Sequence, residues 1–378
     1  MIQTAKWLWL AGSVATVIFC VACAPVDKPT SEKTAVPISS NDAALEQLAP
    51  PPAEMPSGLK ERIDAAIKQV EHRDIQVSNG FWTVSHGILG VGPGLALYDP
   101  EARDRVNAID YICSGGEVRG MRFIPTKYGL DVQDGPMFVG QGHVDQFVAE
   151  MVQSGLSPDR EFIVYGKQYT FMDFIRHTQS RVRVTSDQEL SWAIVAIGEC
   201  LGTDISWTNS FDEELHFEDL VRYELDQKIE EAACGGTHSL FGLSWVYQLH
   251  RRNGGQEAGI WKEVTDKTAK YQKRVRTLQN SDGSFSTNFF REPGNASDKK
   301  LRINTTGHMF EWLALSLTDA QLQEPWVQQA ANALSLMILD IQDSPMEGGT
   351  LYHAVHALRL YSSRQTTPQN DQGQLPSY

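Results

Sequence analysis

The sequence lacks the short motifs that mark several common classes of enzyme. It contains no G-x-S-x-G, no P-loop and no H-E-x-x-H, which argues against the sites that these motifs build. The glycine-rich run at residues 90–94 follows no predicted strand, so it is not a dinucleotide-binding loop. Candidate chemistry therefore has to come from residues that are far apart in the sequence.

Positive charge and cysteine are also scarce. The 378 residues carry 33 lysines and arginines against 47 aspartates and glutamates, a formal net charge of −14. This balance argues against nucleic acid as a partner, because phosphate binding needs clustered cations. Beyond residue 23 the only cysteines are Cys113, Cys200 and Cys234, and no C-x-x-C pair occurs. They would allow one disulfide and one leftover thiol.

The first 23 residues are typical of an export signal. One lysine precedes an apolar run over residues 7–21, and small residues follow it. Cys23 lies in a context that resembles a bacterial lipobox, in which the cysteine receives a lipid, although Cys20 replaces the usual aliphatic residue. We predict a lipoprotein-type signal and a location at the membrane periphery of the cell envelope. An ordinary A-x-A cleavage site and an uncleaved anchor helix are the alternatives.

Two polar segments enclose the predicted domain. Residues 24–56 are rich in proline, serine, threonine, alanine and acidic residues without apolar periodicity, and residues 362–378 have the same character. Such segments have little to bury, which predicts a disordered linker and a disordered tail. Residues 57–361 can form a sizeable core and are predicted to be one domain.

A recurring phrase divides this domain. Small or polar residues, in most copies with a histidine, precede an apolar run with helical spacing. The six matched positions are His86, His143, Gln188, His238, His308 and His353. Their separations of 57, 45, 50, 70 and 45 residues are typical of a structural repeat with insertions.

Each phrase predicts the start of a nearly all-apolar, buried helix, and a more polar helix precedes it. The polar helices are predicted at residues 59–72, 100–113, 170–182, 217–232, 257–279 and 325–341. Six outer–inner pairs indicate an all-α fold, an (α/α)6 toroid with the buried helices as its inner ring. The alternatives are an irregular bundle and an open solenoid, but neither end shows a distinct polar cap.

Residues 279–285, Q-N-S-D-G-S-F, resemble the Q-x-x-D-G-S-W/F element of the terpenoid cyclase and protein prenyltransferase superfamily. The resemblance implies the toroid and a structural role, in which the element joins an outer helix end to the next inner helix start. It does not imply isoprenoid chemistry, because a D-x-D-D run and Asp-rich diphosphate motifs are absent. The whole chain also resembles a family of exported bacterial proteins without an agreed activity.

The matched histidines predict a functional centre where the inner helices begin. The long connections over residues 114–142 and 280–304 lead to this face. Histidine titrates near neutral pH and suits acid–base catalysis, and a nearby carboxylate such as Asp145, Glu189 or Glu311 could orient the imidazole. The predicted catalytic residues are His86, His143, His238, His308, His353, Asp145, Glu311 and Tyr352. A helix-capping role in every repeat is the alternative for the histidines.

Loop cations and six helix N-termini predict an anionic small molecule or polymer as ligand, with solvated loop charge as the alternative. The predicted binding residues are Arg119, Arg122, Tyr128, Gln188 and Arg302. Cys234 and His238 are four residues apart and, with His308, form a candidate zinc site. The prenyltransferase zinc motif is not reproduced, and a structural thiol at Cys234 is the alternative.

Three functions follow from these patterns. The first is a cell-envelope lyase or hydrolase that acts on an anionic glycan or similar substrate through histidine acid–base chemistry. The second is a non-catalytic ligand-binding or scaffold lipoprotein, in which the histidines would be capped and buried without an open pocket. The third is a zinc-dependent toroid enzyme.

Overall fold

A computed structural model of the chain describes residues 58–133, 135, 139–185 and 188–366. The predicted export signal, the lipidation site Cys23 and the linker over residues 24–56 lie outside the described residues, as does the tail from residue 367 onwards. Among the helices that the structure describes, none has the length and apolar character needed to cross a bilayer.

Most of the described residues are helical, which confirms the prediction of a mainly helical chain. In the described part the α-helices are α1 (Leu59–Glu71), α2 (Phe81–Val91), α3 (Ala108–Cys113), α4 (Gln146–Gln153), α5 (Phe171–Arg181), α6 (Ser191–Leu201), α7 (Phe217–Asp226), α8 (Thr237–Arg252), α9 (Ile260–Thr277), α10 (Lys299–Ser316), α11 (Asp319–Leu322), α12 (Pro325–Ile341) and α13 (Gly348–Thr366). The last helix continues five residues beyond the predicted domain end at residue 361.

Small antiparallel hairpins lie between the helices, and none of them was predicted. They pair β1 (Ala96–Asp99) with β2 (Asp104–Asn107), β3 (Phe123–Thr126) with β4 (Gly129–Val132), β5 (Glu161–Val164) with β6 (Lys167–Thr170), and β7 (Ser206–Thr208) with β8 (Glu214–His216). The predicted helix over residues 100–113 is therefore wrong in its first half. The Asn107 side chain accepts a hydrogen bond from Asp110 N at 3.0 Å and so begins α3 only after the hairpin.

Two other predicted boundaries also move. The helix predicted over residues 217–232 ends at Asp226, and short 3-10 turns at Ile229–Glu231 and Ala233–Gly236 follow it. In the other direction, α10 begins at Lys299 because the Asp298 carboxylate accepts hydrogen bonds from Lys300 N and Leu301 N. His308 therefore lies in the middle of α10, not at its start.

Six helices form the buried interior: α2, α4, α6, α8, α10 and α13. We call them the central helices. Each of them packs against the next one along the chain, and α13 packs against α2. The helices α1, α5, α7, α9 and α12 each contact at least one central helix. Their buried residues, such as Ile63 of α1 and Val264 of α9, face this interior.

Aromatic rings fix the hairpins β3–β4 and β5–β6 against the helices. The ring centroid of Phe174 in α5 lies 5.1 Å from those of Phe123 and Phe162, and Phe81 and Phe147 of the central helices are 4.9 Å apart. Burial of each such ring stabilises the fold by about 1.5–3 kcal/mol. The hairpins thus form part of the core.

The Q-N-S-D-G-S-F element joins three helices. The Gln279 side-chain amide donates to the carbonyls of Gly283 and Trp326 at 2.9 and 2.8 Å, which ties the end of α9 to α12. Asp282 pairs with Arg302 in α10. Gly283 has a φ of 89°, and a Cβ there would lie 2.5 Å from the Gln329 carbonyl oxygen, so glycine is required. The element therefore connects the end of α9 to α10 and to α12.

Candidate metal centre

The five predicted histidines lie together in the interior. The ring centroids of His308 and His353 are 4.2 Å apart, and the other close pairs are His143–His238 at 5.0 Å and His86–His353 at 5.1 Å. All except His143 are buried. Contacts between different helices bring them together, since no two of them are closer than 45 residues in the sequence.

Glu189 holds two of these rings. Its carboxylate accepts hydrogen bonds from His143 Nδ1 at 2.8 Å and from His238 Nδ1 at 2.9 Å, and Ser191 Oγ donates to it at 2.8 Å. Burial alone would raise the pKa of Glu189, but the two imidazoles hold that pKa well below its usual range. Glu189 is therefore a carboxylate that fixes the orientation of two imidazoles.

Glu311 plays the same part for two further rings. It accepts hydrogen bonds from His353 Nδ1 at 2.9 Å and from His356 Nδ1 at 2.5 Å. Burial opposes ionisation, yet the neighbouring imidazoles, His353 first, hold the pKa of Glu311 well below its usual range. Burial lowers the pKa of His353, but the Glu311 carboxylate outweighs it and raises that pKa. The two groups form a buried ion pair, and His353 has to lose its Nε2 proton before that nitrogen can bind a metal ion.

His86 and His308 are fixed by their own helices. His86 Nδ1 donates to the Trp82 carbonyl at 2.7 Å, and His308 Nδ1 donates to the Asn304 carbonyl at 2.8 Å. Burial, followed by repulsion from His353, lowers the pKa of both imidazoles well below its usual value. Both rings are therefore neutral, and Nε2 carries the lone pair.

These hydrogen bonds leave a set of nitrogen atoms that can bind a metal ion. The ligand atoms of His238, His308 and His353 lie within 4.8 Å of one another, and so do those of His143, Cys234 and His238. An imidazole whose Nδ1–H is held by a carboxylate or a carbonyl is the usual form of a metal-binding histidine. In the described part of the chain, His238 Nε2 is buried and has no hydrogen-bond partner. The residues therefore fit a zinc-class ion.

The space at this centre is small. A cavity of about 10 Å³ lies against His238, Glu311, His353, Trp192 and Phe241. This is room for about one water molecule or ion, whereas sites for small molecules occupy about 300–1,000 Å³. The histidines converge as predicted, but within the described residues they enclose a closed centre and not a wide pocket.

Two predicted residues next to the centre have other partners. Asp145 accepts hydrogen bonds from Thr178 Oγ1 at 2.8 Å and from Arg181 Nη2 at 2.5 Å, which direct its carboxylate to α5. Gln188 accepts a hydrogen bond from Arg181 at 3.2 Å. The repeat alignment placed Gln188 in the ring of histidines, but the side chain that reaches them is that of Glu189.

The remaining predicted residues have neighbours other than the histidine rings. Tyr352 packs against Gly87 and Gly90 of α2. Arg302 forms an ion pair with Asp282 in the Q-N-S-D-G-S-F element. The tip of β3–β4 carries Tyr128, whose ring centroid lies 4.5 Å from Lys127 Nζ. Arg119 and Arg122 are exposed and line a separate cleft of about 740 Å³.

Sequence reasoning missed several residues of the centre. Glu150 of α4 is fully buried, lies 3.4 Å from His86 Nε2, and has a pKa raised by burial to about 8. Trp82 and Trp192 pack on the rings of His86 and His238, with centroids 4.1 and 4.6 Å apart. A single acidic residue among the buried residues of an apolar helix was the available signal for Glu150.

Among the described residues, Cys113, Cys200 and Cys234 form no disulfide, so the bridge that the sequence allowed is not made between them. Cys234 adopts a left-handed backbone conformation, with φ 46° and ψ 42°, directly before α8. Such a conformation is strained for a residue other than glycine, and strain of this kind concentrates at functional sites. No protein-family model matches the chain, and comparisons with curated proteins and with solved structures found no match.

Proposed function

We propose that this protein is an exported metalloenzyme with an (α/α)6 toroid, in which His238, His308 and His353 bind one zinc-class ion. One observation carries the proposal. Three imidazoles from three helices bring their ligand atoms within 4.8 Å of one another. In each of them the Nδ1–H group donates a hydrogen bond to a fixed acceptor. The acceptors are Glu189 for His238, the Asn304 carbonyl for His308 and Glu311 for His353.

The packing of the central helices supports the toroid. Each central helix contacts its neighbours in chain order and α13 contacts α2, which is the order of contacts that a closed ring requires. The joint between α9, α10 and α12 at Gln279 and Asp282 agrees with the structural element of the toroid superfamily. An open solenoid would leave α2 and α13 apart.

The donor set favours a catalytic type of site. Three protein ligands on a zinc-class ion leave a coordination position for water or substrate, whereas structural zinc sites are closed by four protein ligands. Around that position, Glu311 keeps His353 oriented, and the neutral Glu150 offers a proton beside His86. Such an ion would lower the pKa of the one water molecule for which the cavity has room, so metal-assisted hydrolysis is the class of reaction that we propose.

The two other functions have less support. A glycan enzyme needs a groove at the histidines, and the described cavity there is about 10 Å³. The arginines predicted to bind an anion, Arg119 and Arg122, line a different cleft. A scaffold would leave the buried His238 Nε2 unsatisfied, at a cost of about 1–3 kcal/mol. Export through residues 1–23 and lipidation of Cys23, with residues 24–56 as a tether to the membrane, belong to the same proposal.

Metal analysis tests the proposal directly. Wild-type protein purified from metal-replete medium should contain about one zinc-class ion per chain, measured by inductively coupled plasma mass spectrometry. His238→Ala removes the histidine that both ligand sets share and should abolish binding. His72→Ala is the matched control, because His72 is exposed at the end of α1.

Circular dichroism should show that His238→Ala keeps its helical content, since an alanine at the start of α8 is compatible with a helix. Wild-type protein without bound metal would contradict the proposal and leave the scaffold alternative. Turnover of an anionic glycan by chelator-treated protein would instead favour metal-free acid–base catalysis.

A further inference from the structure

We infer that the metal ion reaches its centre in two stages, through an outer position formed by His143, Cys234 and His238 and an inner position formed by His238, His308 and His353. The inference rests on the proposed function and adds a loading route to it. In both sets the ligand atoms lie within 4.8 Å of one another, and His238 belongs to both.

The shared histidine makes the two positions mutually exclusive. His238 Nδ1 donates to Glu189 at 2.9 Å, so only Nε2 is left to bind a metal ion. One lone pair binds one ion, and two ions could not use His238 at the same time. The geometry therefore points to one ion with two alternative sites.

The outer position lies nearer the solvent, although His143 Nε2 itself is buried. The side chain of His143 is 12% exposed and that of its partner Glu189 is 22% exposed, whereas that of His353 is 3% exposed. An ion from solution therefore meets His143 before it meets the inner set. The inner position is the better enclosed of the two.

The backbone around Cys234 supports a role for its thiol. Cys234, Gly235 and Gly236 all have positive φ, at 46°, 64° and 86°. A Cβ on Gly236 would lie 2.3 Å from the Ile229 carbonyl oxygen, so only glycine fits at this position of the turn. A left-handed backbone is unfavourable for cysteine, and the turn places its sulfur beside the imidazoles of His143 and His238.

The transfer itself is a ligand exchange without oxidation or reduction. At the outer position the Cys234 thiol releases its proton as the sulfur–metal bond forms. On transfer, this bond and the bond to His143 would break and bonds to His308 and His353 would form. The His353 imidazolium would give up its Nε2 proton as its bond to the ion forms, and the Cys234 thiolate would take up a proton. His238 stays bonded to the ion throughout, which keeps the exchange within one site.

Rapid mixing of metal-free protein with Co²⁺ tests the route, because a thiolate ligand gives a sulfur-to-cobalt charge-transfer absorption. Wild-type protein should show this absorption transiently and end with one ion per chain. Cys234→Ser should lack the transient, load roughly tenfold more slowly or worse, and reach the same final stoichiometry. Cys200→Ser is the matched control and should behave as wild type, since Cys200 belongs to neither set.

His308→Ala gives a second readout. It removes a ligand of the inner position alone, so the ion should remain at the outer position and the charge-transfer absorption should persist. A permanent absorption in wild-type protein, two ions per chain, or equal loading rates for Cys234→Ser and wild type would overturn the two-stage route. Those results would leave the proposed metal site intact, whereas no cobalt binding by wild-type protein would refute both.

Discussion

Two buried polar clusters lie along the same pair of central helices, α10 and α13, and they differ in how fully they are hydrogen-bonded. Near the ends of these helices, Arg364 donates to the carbonyls of Ala314 and Leu317 at 2.8 and 2.6 Å and to Asp319 at 2.6 Å. Nearer their starts, His308 and His353 face His238, whose Nε2 has no hydrogen-bond partner in the described part of the chain.

This difference in hydrogen bonding distinguishes a cluster with a structural role from a cluster with a candidate functional role. The Arg364 guanidinium satisfies carbonyls that the end of α10 leaves free, so this cluster stabilises the fold. A buried nitrogen without a partner is costly, and its presence in a native protein calls for an explanation. The metal ion that we propose would supply the explanation for the histidine cluster. Removing a residue from the Arg364 cluster should therefore reduce the stability of the fold. Removing a residue from the histidine cluster should reduce metal binding.

The largest expected effect is on stability. Arg364→Ala removes a buried cation from its pair with the partly exposed Asp319 and leaves buried carbonyls at the end of α10 unsatisfied. We expect the free energy of unfolding to fall by about 3–5 kcal/mol, measured by urea denaturation, with the metal content per folded chain unchanged.

Arg359→Ala is its control on the same helix. Arg359 pairs with Glu71 at 2.6 Å, but both side chains are partly exposed. The change should cost no more than about 1 kcal/mol. Equal losses in the two variants would remove the distinction between the Arg364 cluster and an ordinary surface pair.

A smaller effect is expected on metal affinity. Glu189→Gln keeps the size of the side chain but removes the charge that orients His143 and His238. We expect metal to bind about 10–100-fold more weakly in a competition titration with a chelator. Glu213→Gln makes the same change beside Arg183, away from the histidines, and should leave the affinity unaltered. Unchanged affinity in Glu189→Gln would show that Glu189 does not orient the ligands.

The smallest expected effect concerns the pH dependence of stability, to which one buried carboxyl, that of Glu224, contributes. Glu224 accepts a hydrogen bond from Leu190 N at 3.0 Å, yet burial raises its pKa from 4.5 to about 7. Between these values the folded state binds more protons than the unfolded state. Glu224 therefore makes stability fall as pH rises from about 4.5 to about 7, with a slope of at most about 1.4 kcal/mol per pH unit.

Glu224→Gln should remove this contribution, because glutamine stays neutral and can still accept from Leu190 N. Urea denaturation at pH 5 and pH 7 measures the difference, with the exposed Glu214→Gln as control. A pH dependence equal to that of wild type would show that Glu224 ionises as freely in the folded protein as in the unfolded one.

Much of the helical pattern could be predicted from the sequence, and the hairpins could not. The predicted helix over residues 325–341 agrees with α12 at both ends, because proline begins it and apolar residues recur along it. The strands β1 to β8 contain only three or four residues each. Such short segments carry too little alternation to be distinguished from a helix end, and their pairing depends on the partner strand.

The centre was predictable by residue type but not by partner. Spacing alone identified His238, His308 and His353. Which carboxylate reaches them depended on where α6 begins, since a shift of one residue exchanges Gln188 for Glu189 as the side chain that faces inward. Asp145 was predicted for the same reason as Glu311, but its left-handed backbone and the nearby Arg181 place it elsewhere.

The sequence by itself determined that the chain folds mainly into helices and that histidines recur at matched places, because periodicity and repetition are properties of the order of residues. Only the tertiary structure decided that these histidines meet in a closed centre, that Glu189 and Glu311 orient them, and that Cys234 stands beside them. The reason is physical. Hydrogen bonds and ligand distances of a few ångströms join residues from separate helices, and only the packing of those helices sets such distances.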